Sequence, residues 1–238
     1  MSPELTLVLV GTGIYLVDSI RLLRPSDGVF LVSGNIWRAS LGFEHMQFSG
    51  KHPALLSPIA PGCPAFQFTW YDETAVNSLA IAELLRARAS KLRFLSVPVS
   101  LQLVMMFAVV PYCLFRFPGA PLAIAFGMLY VNAIVALCMV ALKREHLDLP
   151  WARFAAIALE CLICIPLSIN LLRKLSLNFE PVKNMISVAR SLLGDEKYRD
   201  AANALEARIA AALEVEETGT NTYLELMRLR DSIRLGTP

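Results

Sequence analysis

Hydrophobic positions gather in four stretches, residues 5–23, 94–115, 120–142 and 154–172, and polar positions fill the lengths between them. A helix rises 1.5 Å per residue, so about 20 apolar residues cross the ~30 Å hydrocarbon layer of a bilayer. The second and third stretches contain no charge. Arg116-Phe-Pro-Gly119 joins them, which predicts a tight helical hairpin. Pro98 and Pro111 in the second predict kinks rather than a break, because neighbouring helices can satisfy the freed carbonyls. Asp18 and Arg21 shorten the uncharged part of the first. With no Lys or Arg ahead of it and Arg21 and Arg24 behind, it reads as a retained anchor and not a cleaved leader. Trp151 suits the interfacial mouth of the fourth, which leaves through Arg173-Lys174.

The expected fold is therefore a predominantly α-helical integral membrane protein with about four transmembrane helices, a small β-containing insert after the first span and a helical C-terminal tail. The corresponding segments are a first anchor (1–24), a polar module (25–93), a three-helix transmembrane region (94–174) and a soluble tail (175–238).

Within the polar module, residues 29–32, 36–41 and 43–48 carry strand-like runs, with Gly34-Asn35 and Gly42 as turn residues. A Pro-rich loop holding Pro53, Pro58, Pro61 and Pro64 follows. In Phe66-Gln-Phe-Thr-Trp-Tyr71 the period of two sets Phe66, Phe68 and Trp70 on one face, which needs apolar cover. A helix begins after Asp72 or Thr74 with Val76, Leu79, Ala80, Leu84 and Leu85 as its stripe, and Arg86, Arg88, Lys91 and Arg93 towards its end.

The tail shows helical stripes: Val182, Met185, Ile186, Ala189, Leu192 and Leu193 up to a cap at Gly194, then Tyr198, Ala202, Leu205, Ile209 and Leu213, and a last helix with Leu226, Leu229 and Ile233 beyond residues 219–222. Met185, Val188, Ala189 and Leu192, followed by Tyr198, Ala201 and Leu205, make this hairpin similar to a single tetratricopeptide-like unit. The likeness spans about thirty residues and is not repeated. Arg208 stands where such units carry a small residue.

Composition fits this pattern: of 238 residues 55% are hydrophobic and 18% charged, against about 25% charged in soluble domains. A net charge of +2 without a basic run excludes the electrostatic footprint of a nucleic-acid binder. Lys and Arg near span ends resist translocation. Arg21, Arg24, Arg86, Arg88, Lys91, Arg93, Lys143, Arg144 and Arg153 share one side and Arg116, Arg173, Lys174 and Lys183 the other, which makes the 25–93 module cytoplasmic and turns the tail outward, a placement that reverses for the tail if the first stretch lies in the interface instead of crossing. A bacterial inner membrane is the expected location. Four of the five cysteines, Cys113, Cys138, Cys161 and Cys164, fall in apolar blocks and Cys63 in the Pro-rich loop, so they read as packing residues rather than a disulfide framework.

Candidate chemistry is sparse. Glu160 lies about seven residues into the fourth stretch, and a carboxylate at such depth needs a partner. Arg153 and Asn132 of the preceding stretch are the expected ones, and Glu160 and Asn132 form the candidate intramembrane polar site. His45, His52 and Cys63, with Glu44, Asp72 and Glu73 nearby, match no zinc spacing, and adjacent strand residues such as Glu44 and His45 face opposite ways. Gly11-Thr-Gly13 has Leu16 where a dinucleotide fingerprint needs glycine. No cofactor or metal is expected. The sequence therefore favours a non-catalytic subunit or scaffold of a membrane complex, with the lipid bilayer and other protein chains, or further copies of itself, as partners. Its expected interaction surface is Phe66, Phe68, Trp70, Tyr198 and Leu205. The rival is a membrane-embedded enzyme or small transporter using Glu160 or the His45/His52 region.

Overall fold

The computed structural model describes residues 3–34, 36–43, 46, 48–69, 78–177, 179, 185–215 and 218–236. In chain order the elements are α1 (Pro3–Asp18), β1 (Ile20–Leu23), β2 (Asp27–Ser33), β3 (Ile36–Ser40), β4 (His52–Leu55), β5 (Ala65–Thr69), α2 (Ser78–Leu92), α3 (Ser96–Val104), α4 (Val110–Arg116), α5 (Ala120–Leu142), α6 (Trp151–Ile163), α7 (Ile165–Ser168), α8 (Leu171–Leu177), α9 (Met185–Leu193), α10 (Asp195–Val215) and α11 (Asn221–Gly236). They fall into two compact units. The first holds Met1–Ser19, Ser57–Pro64 and Arg88–Asn178. The second holds Ile20–Leu56, Ala65–Ala87 and Phe179–Pro238.

In the first unit two helical runs, Ala80–Arg116 (whose first turns belong to the second unit) and Ala120–Leu142, are long and apolar enough by length and composition to cross a membrane. The first run is continuous through both prolines. Pro98 sits in the opening turns of α3, where a missing N–H matters least. Ahead of Pro111, residues Met105–Val109 widen into a π-turn in which the Val110 N–H reaches back to the Met105 carbonyl. That extra residue gives room to the proline ring, which would otherwise press on the preceding turn.

α5 has one packed face, on which alanines alternate with Leu129, Leu137 and Val140, and one exposed face that carries large apolar residues. Ala125, Leu129, Ala133 and Ala136 are buried, whereas Ile124, Met128 and Val131 are each more than half exposed. Small inward residues allow helices to approach closely, and the outward face is apolar as well.

The outer two apolar stretches depart from the expected spans. The first is helical only to Asp18. Residues Ile20–Leu23 form a strand paired antiparallel with His52–Leu55, so the helix stops five residues before the apolar run ends. The fourth is not continuous: Cys164 is extended (φ −127, ψ 91) and caps α7, whose opening turn holds Pro166. Pro166 cannot extend α6 but can begin a new helix.

In the second unit β3, β2 and β5 make a three-stranded antiparallel sheet in that order, beside the separate β1–β4 ribbon. Residues 43–48 are not a regular strand among the described residues; Phe48 makes only an isolated bridge to Lys51. Position 53, read as loop, lies within β4. Phe30, Trp37, Phe66 and Phe68 stack as the aromatic core of the sheet: Phe30 and Phe68 lie 4.2 Å apart, and Phe66 meets both Trp37 and Phe179. α9, α10 and α11 bury Ala189, Leu192, Leu193, Tyr198, Ala202, Leu205, Ile209, Leu226, Leu229 and Ile233 of the stripes read from the sequence, whereas Leu213 is half-buried and Val182 and the side chains of Met185 and Ile186 lie outside the described residues; Gly194 (φ +80) takes the left-handed conformation that ends a helix, and Gly219 (φ +95) takes it in the turn before α11. α2 buries Ala82 and Leu85 while Leu84 is exposed; the expected cap at Asp72 or Thr74 lies outside the described residues.

Most of the insert, Ile20–Leu56 and Ala65–Ala87, thus belongs to one folded unit with the tail from Phe179 on, while its Ser57–Pro64 loop belongs to the first unit.

Candidate functional site

The most concentrated polar chemistry of the first unit lies where α1 ends and α8 begins. Asn170 donates to Asp18 Oδ2 at 2.9 Å and to Ser19 Oγ at 3.1 Å, and Ser19 Oγ in turn donates to the Tyr15 carbonyl. Arg173, 2% exposed, donates Nη1 to Asn170 Oδ1 at 2.9 Å and Nη2 to the carbonyls of Ser57 and Ala60 at 2.5 and 2.9 Å. Tyr15 donates its hydroxyl to the Pro58 carbonyl at 2.5 Å. Lys174 closes the cluster, 2.6 Å from Glu160 Oε2 and 3.4 Å from Asp18 Oδ1.

Two carboxylates and two cations balance, and the loop Ser57–Pro64 lends its backbone oxygens as the remaining acceptors. The cluster ties α1, α6, α8 and this loop together. A guanidinium removed from water requires such bonds, because a buried cation without them costs several kcal/mol.

Glu160 does find an internal partner, but neither expected one. Lys174 takes that place. Asn132 instead donates to Gln102 Oε1 at 2.5 Å and to the Pro98 carbonyl at 2.9 Å, while Gln102 Nε2 donates to the Leu129 carbonyl. This bridges α3 and α5. Glu160 and Asn132 therefore belong to two separate networks.

Beside these lies an apolar cavity of about 260 Å³ lined by Gly11 and Ile14 of α1, Met106 and Phe107 of the π-turn, Phe126 of α5 and Cys164 at the helix break. Both backbone irregularities of the unit open onto it. Gly11 packs closely there: an added Cβ would lie 2.7 Å from Met106 Cε, so the end of the methionine side chain would have to swing aside.

In the second unit the corresponding polar residue is Arg208 of α10, 5% exposed. Its guanidinium donates to the carbonyls of Leu41, Leu23 (3.3 Å) and Arg24 (2.7 Å). Burial pulls it down to about 10, partly offset by the Asp27 carboxylate. His52, 2% exposed on β4, stands 3.1 Å from the Phe43 carbonyl through Nδ1. Burial and then the Arg208 cation hold it below the ordinary histidine value, against the raising effect of the Phe43 bond.

The expected interaction surface is largely interior. Phe66 (2%), Phe68 (0%), Tyr198 (3%) and Leu205 (0%) are core residues, because sheet and tail helices cover them within one unit. Trp70 and His45 lie outside the described residues. Among the described residues no group of His, Cys, Asp and Glu converges as a metal site.

Arg173, Asn170 and Ser19 were missed by the sequence reading, since a polar residue near a span end looks like a flank. Arg208 was visible as a departure from the helical-hairpin pattern. Compared with protein-family models, curated proteins and solved structures, the chain finds no match.

Proposed function

We propose that the chain is a non-catalytic membrane component in which the first unit sits in a bilayer and the second serves as a protein-binding module of a larger complex. The observation carrying this reading is the distribution of side chains in the first unit. Beyond the Leu, Ile and Val residues packed between its helices, this unit leaves Leu7, Val10, Val97, Ile124, Val131 and Ile163 among many large apolar side chains exposed, an arrangement that in water would leave a far larger apolar patch than soluble proteins tolerate.

Packing of insert and tail in one unit requires an even number of crossings between them. The two long runs supply two, with the shorter α1 and the broken α6–α7 beside them. On that topology Arg173, Lys174 and Lys183 join the nine Lys and Arg residues near the insert, and Arg116 is left alone across the membrane. Such a bias makes the second unit cytoplasmic. The polar clusters support a binding role over a catalytic one, because Asp18, Arg173, Lys174 and Glu160 are engaged with one another.

Purification in mild detergent followed by crosslinking and mass spectrometry tests this. Stoichiometric protein partners joined to the second unit are the expected result, and a partner-free monomer would refute it.

A further inference from the structure

The three-stranded sheet ends on β3, whose far side is an edge. Ser33 stands opposite Ile36 across a two-residue connection, and the closing pair of such a hairpin exchanges both backbone bonds. Counting along the ladder, Leu31 with Arg38 and Val29 with Ser40 are the other bonded pairs. The N–H and C=O of Trp37 and Ala39 therefore point away from β2, and neither residue makes a further backbone bond to the described residues.

Against this edge lies a groove of about 630 Å³, bounded on the strand side by Arg38, Ala39 and Gly42 and on the helix side by Lys197, Ala201 and Ala204. Small side chains on both walls keep it open. One wall thus offers main-chain donors and acceptors at the two-residue repeat of a strand, and the other a smooth helix face, which matches an extended chain better than a helix. Arg38 and Lys197 exceed the one acid of the lining, Asp200, by one charge. A residue paired beside Arg38 on an added strand is favoured when acidic.

We infer that this groove receives an extended, acidic peptide segment of a partner protein as a fourth strand beside β3. This rests on the binding-module reading and names what the module holds.

The test uses the full chain in detergent and a phage-displayed library of random nonapeptides, with the enriched sequences then synthesised and titrated. Ala39→Pro removes the outward N–H at a position that does not bond β2, a substitution edge strands accept. Ala201→Trp fills the groove from the helix side and leaves the strand unchanged. Hydrogen exchange at β2 reports whether each variant is folded. The expected outcome is enrichment of peptides with Asp or Glu at alternate positions, bound at least tenfold more weakly by both variants and by Arg38→Glu. N-methylation of alternate peptide amides abolishes the binding.

Enrichment of nothing, of peptides that bind as helices, or of peptides indifferent to Ala39→Pro and Ala201→Trp overturns the inference. If crosslinks still join the second unit to a protein partner in that event, the groove assignment alone falls. Absence of both partner and peptide removes the binding-module reading as well.

Discussion

Replacing Arg208 by methionine keeps the unbranched stem of the side chain and removes its five donors. Three carbonyls lose a charge-assisted bond. That of Leu23 is buried and stays unsatisfied, at about 1–3 kcal/mol, whereas those of Leu41 and Arg24 are part-buried and regain water, at up to about 1 kcal/mol each. The gain from no longer desolvating a guanidinium, the same burial that pulls Arg208 down to about 10, works in the opposite direction. The net expectation is a loss of about 2–4 kcal/mol in the second unit. Below pH 10 Arg208 stays protonated in both states, so the loss from this source is flat from pH 7 to 9. Hydrogen exchange at the amides of β2 and β3 reads the effect directly, as roughly a 30- to 1,000-fold faster opening. Arg208→Lys keeps the charge but not the fork and is expected between wild type and Arg208→Met. Exchange within tenfold of wild type, or slower, in Arg208→Met would show that these bonds do not hold helix to ribbon.

Further predictions follow from the same geometry. His52 is held below its ordinary value, so the unfolded state takes up its proton first on acidification; stability of the second unit should fall as pH drops from 7 through 6.5, and His52→Gln should flatten that slope in urea titrations at stepped pH. Because the Arg208 cation is one cause of the depression, Arg208→Met should lessen the acid sensitivity of His52 as well, measured as an upward shift of its NMR titration midpoint. Glu160 is more than half exposed in its pair with Lys174, so Glu160→Gln should cost no more than ~1 kcal/mol and leave complex assembly intact; loss of function in a folded Glu160→Gln protein would instead support proton-coupled transport. Asn132→Leu leaves Gln102, 1% exposed, without its donor, and should cost ~1–2 kcal/mol in thermal unfolding in detergent, part of it recovered in the Asn132→Leu/Gln102→Leu double variant.

Hydropathy and period were enough to locate α3 to α5, the Phe66 and Phe68 face, and the helix ends at Gly194 and Gly219, because each depends on local chemistry. Long-range pairing was not legible. Ile-Arg-Leu-Leu at 20–23 continues an apolar run and becomes a strand only because residues 52–55 lie beside it, and Pro53 disguised that partner. Pro166 stands inside the fourth apolar stretch, whose hydropathy runs through it unbroken, although a proline able to start a helix also permits a break before it. The aromatic face was read correctly as needing cover, but the cover came from within the chain: Trp37, Phe30 and Phe179 arrive from distant segments. The polar cluster was not legible because Arg173 and Lys174 look like membrane flanks until Ser57 and Ala60 are seen to accept from Arg173, and Glu160 and Asp18 to pair with Lys174.

Cys138 offers the most direct test of the central claim that the first unit is immersed in lipid. It lies on α5 and is exposed in the structure, so water would leave it open to thiol reagents. In unsealed native membranes a polar maleimide should modify a cysteine placed at exposed Lys51 (Lys51→Cys) and leave Cys138 untouched until the membrane is dissolved in denaturant. Modification of Cys138 at the rate of the Lys51→Cys control would place that face in water and contradict the account.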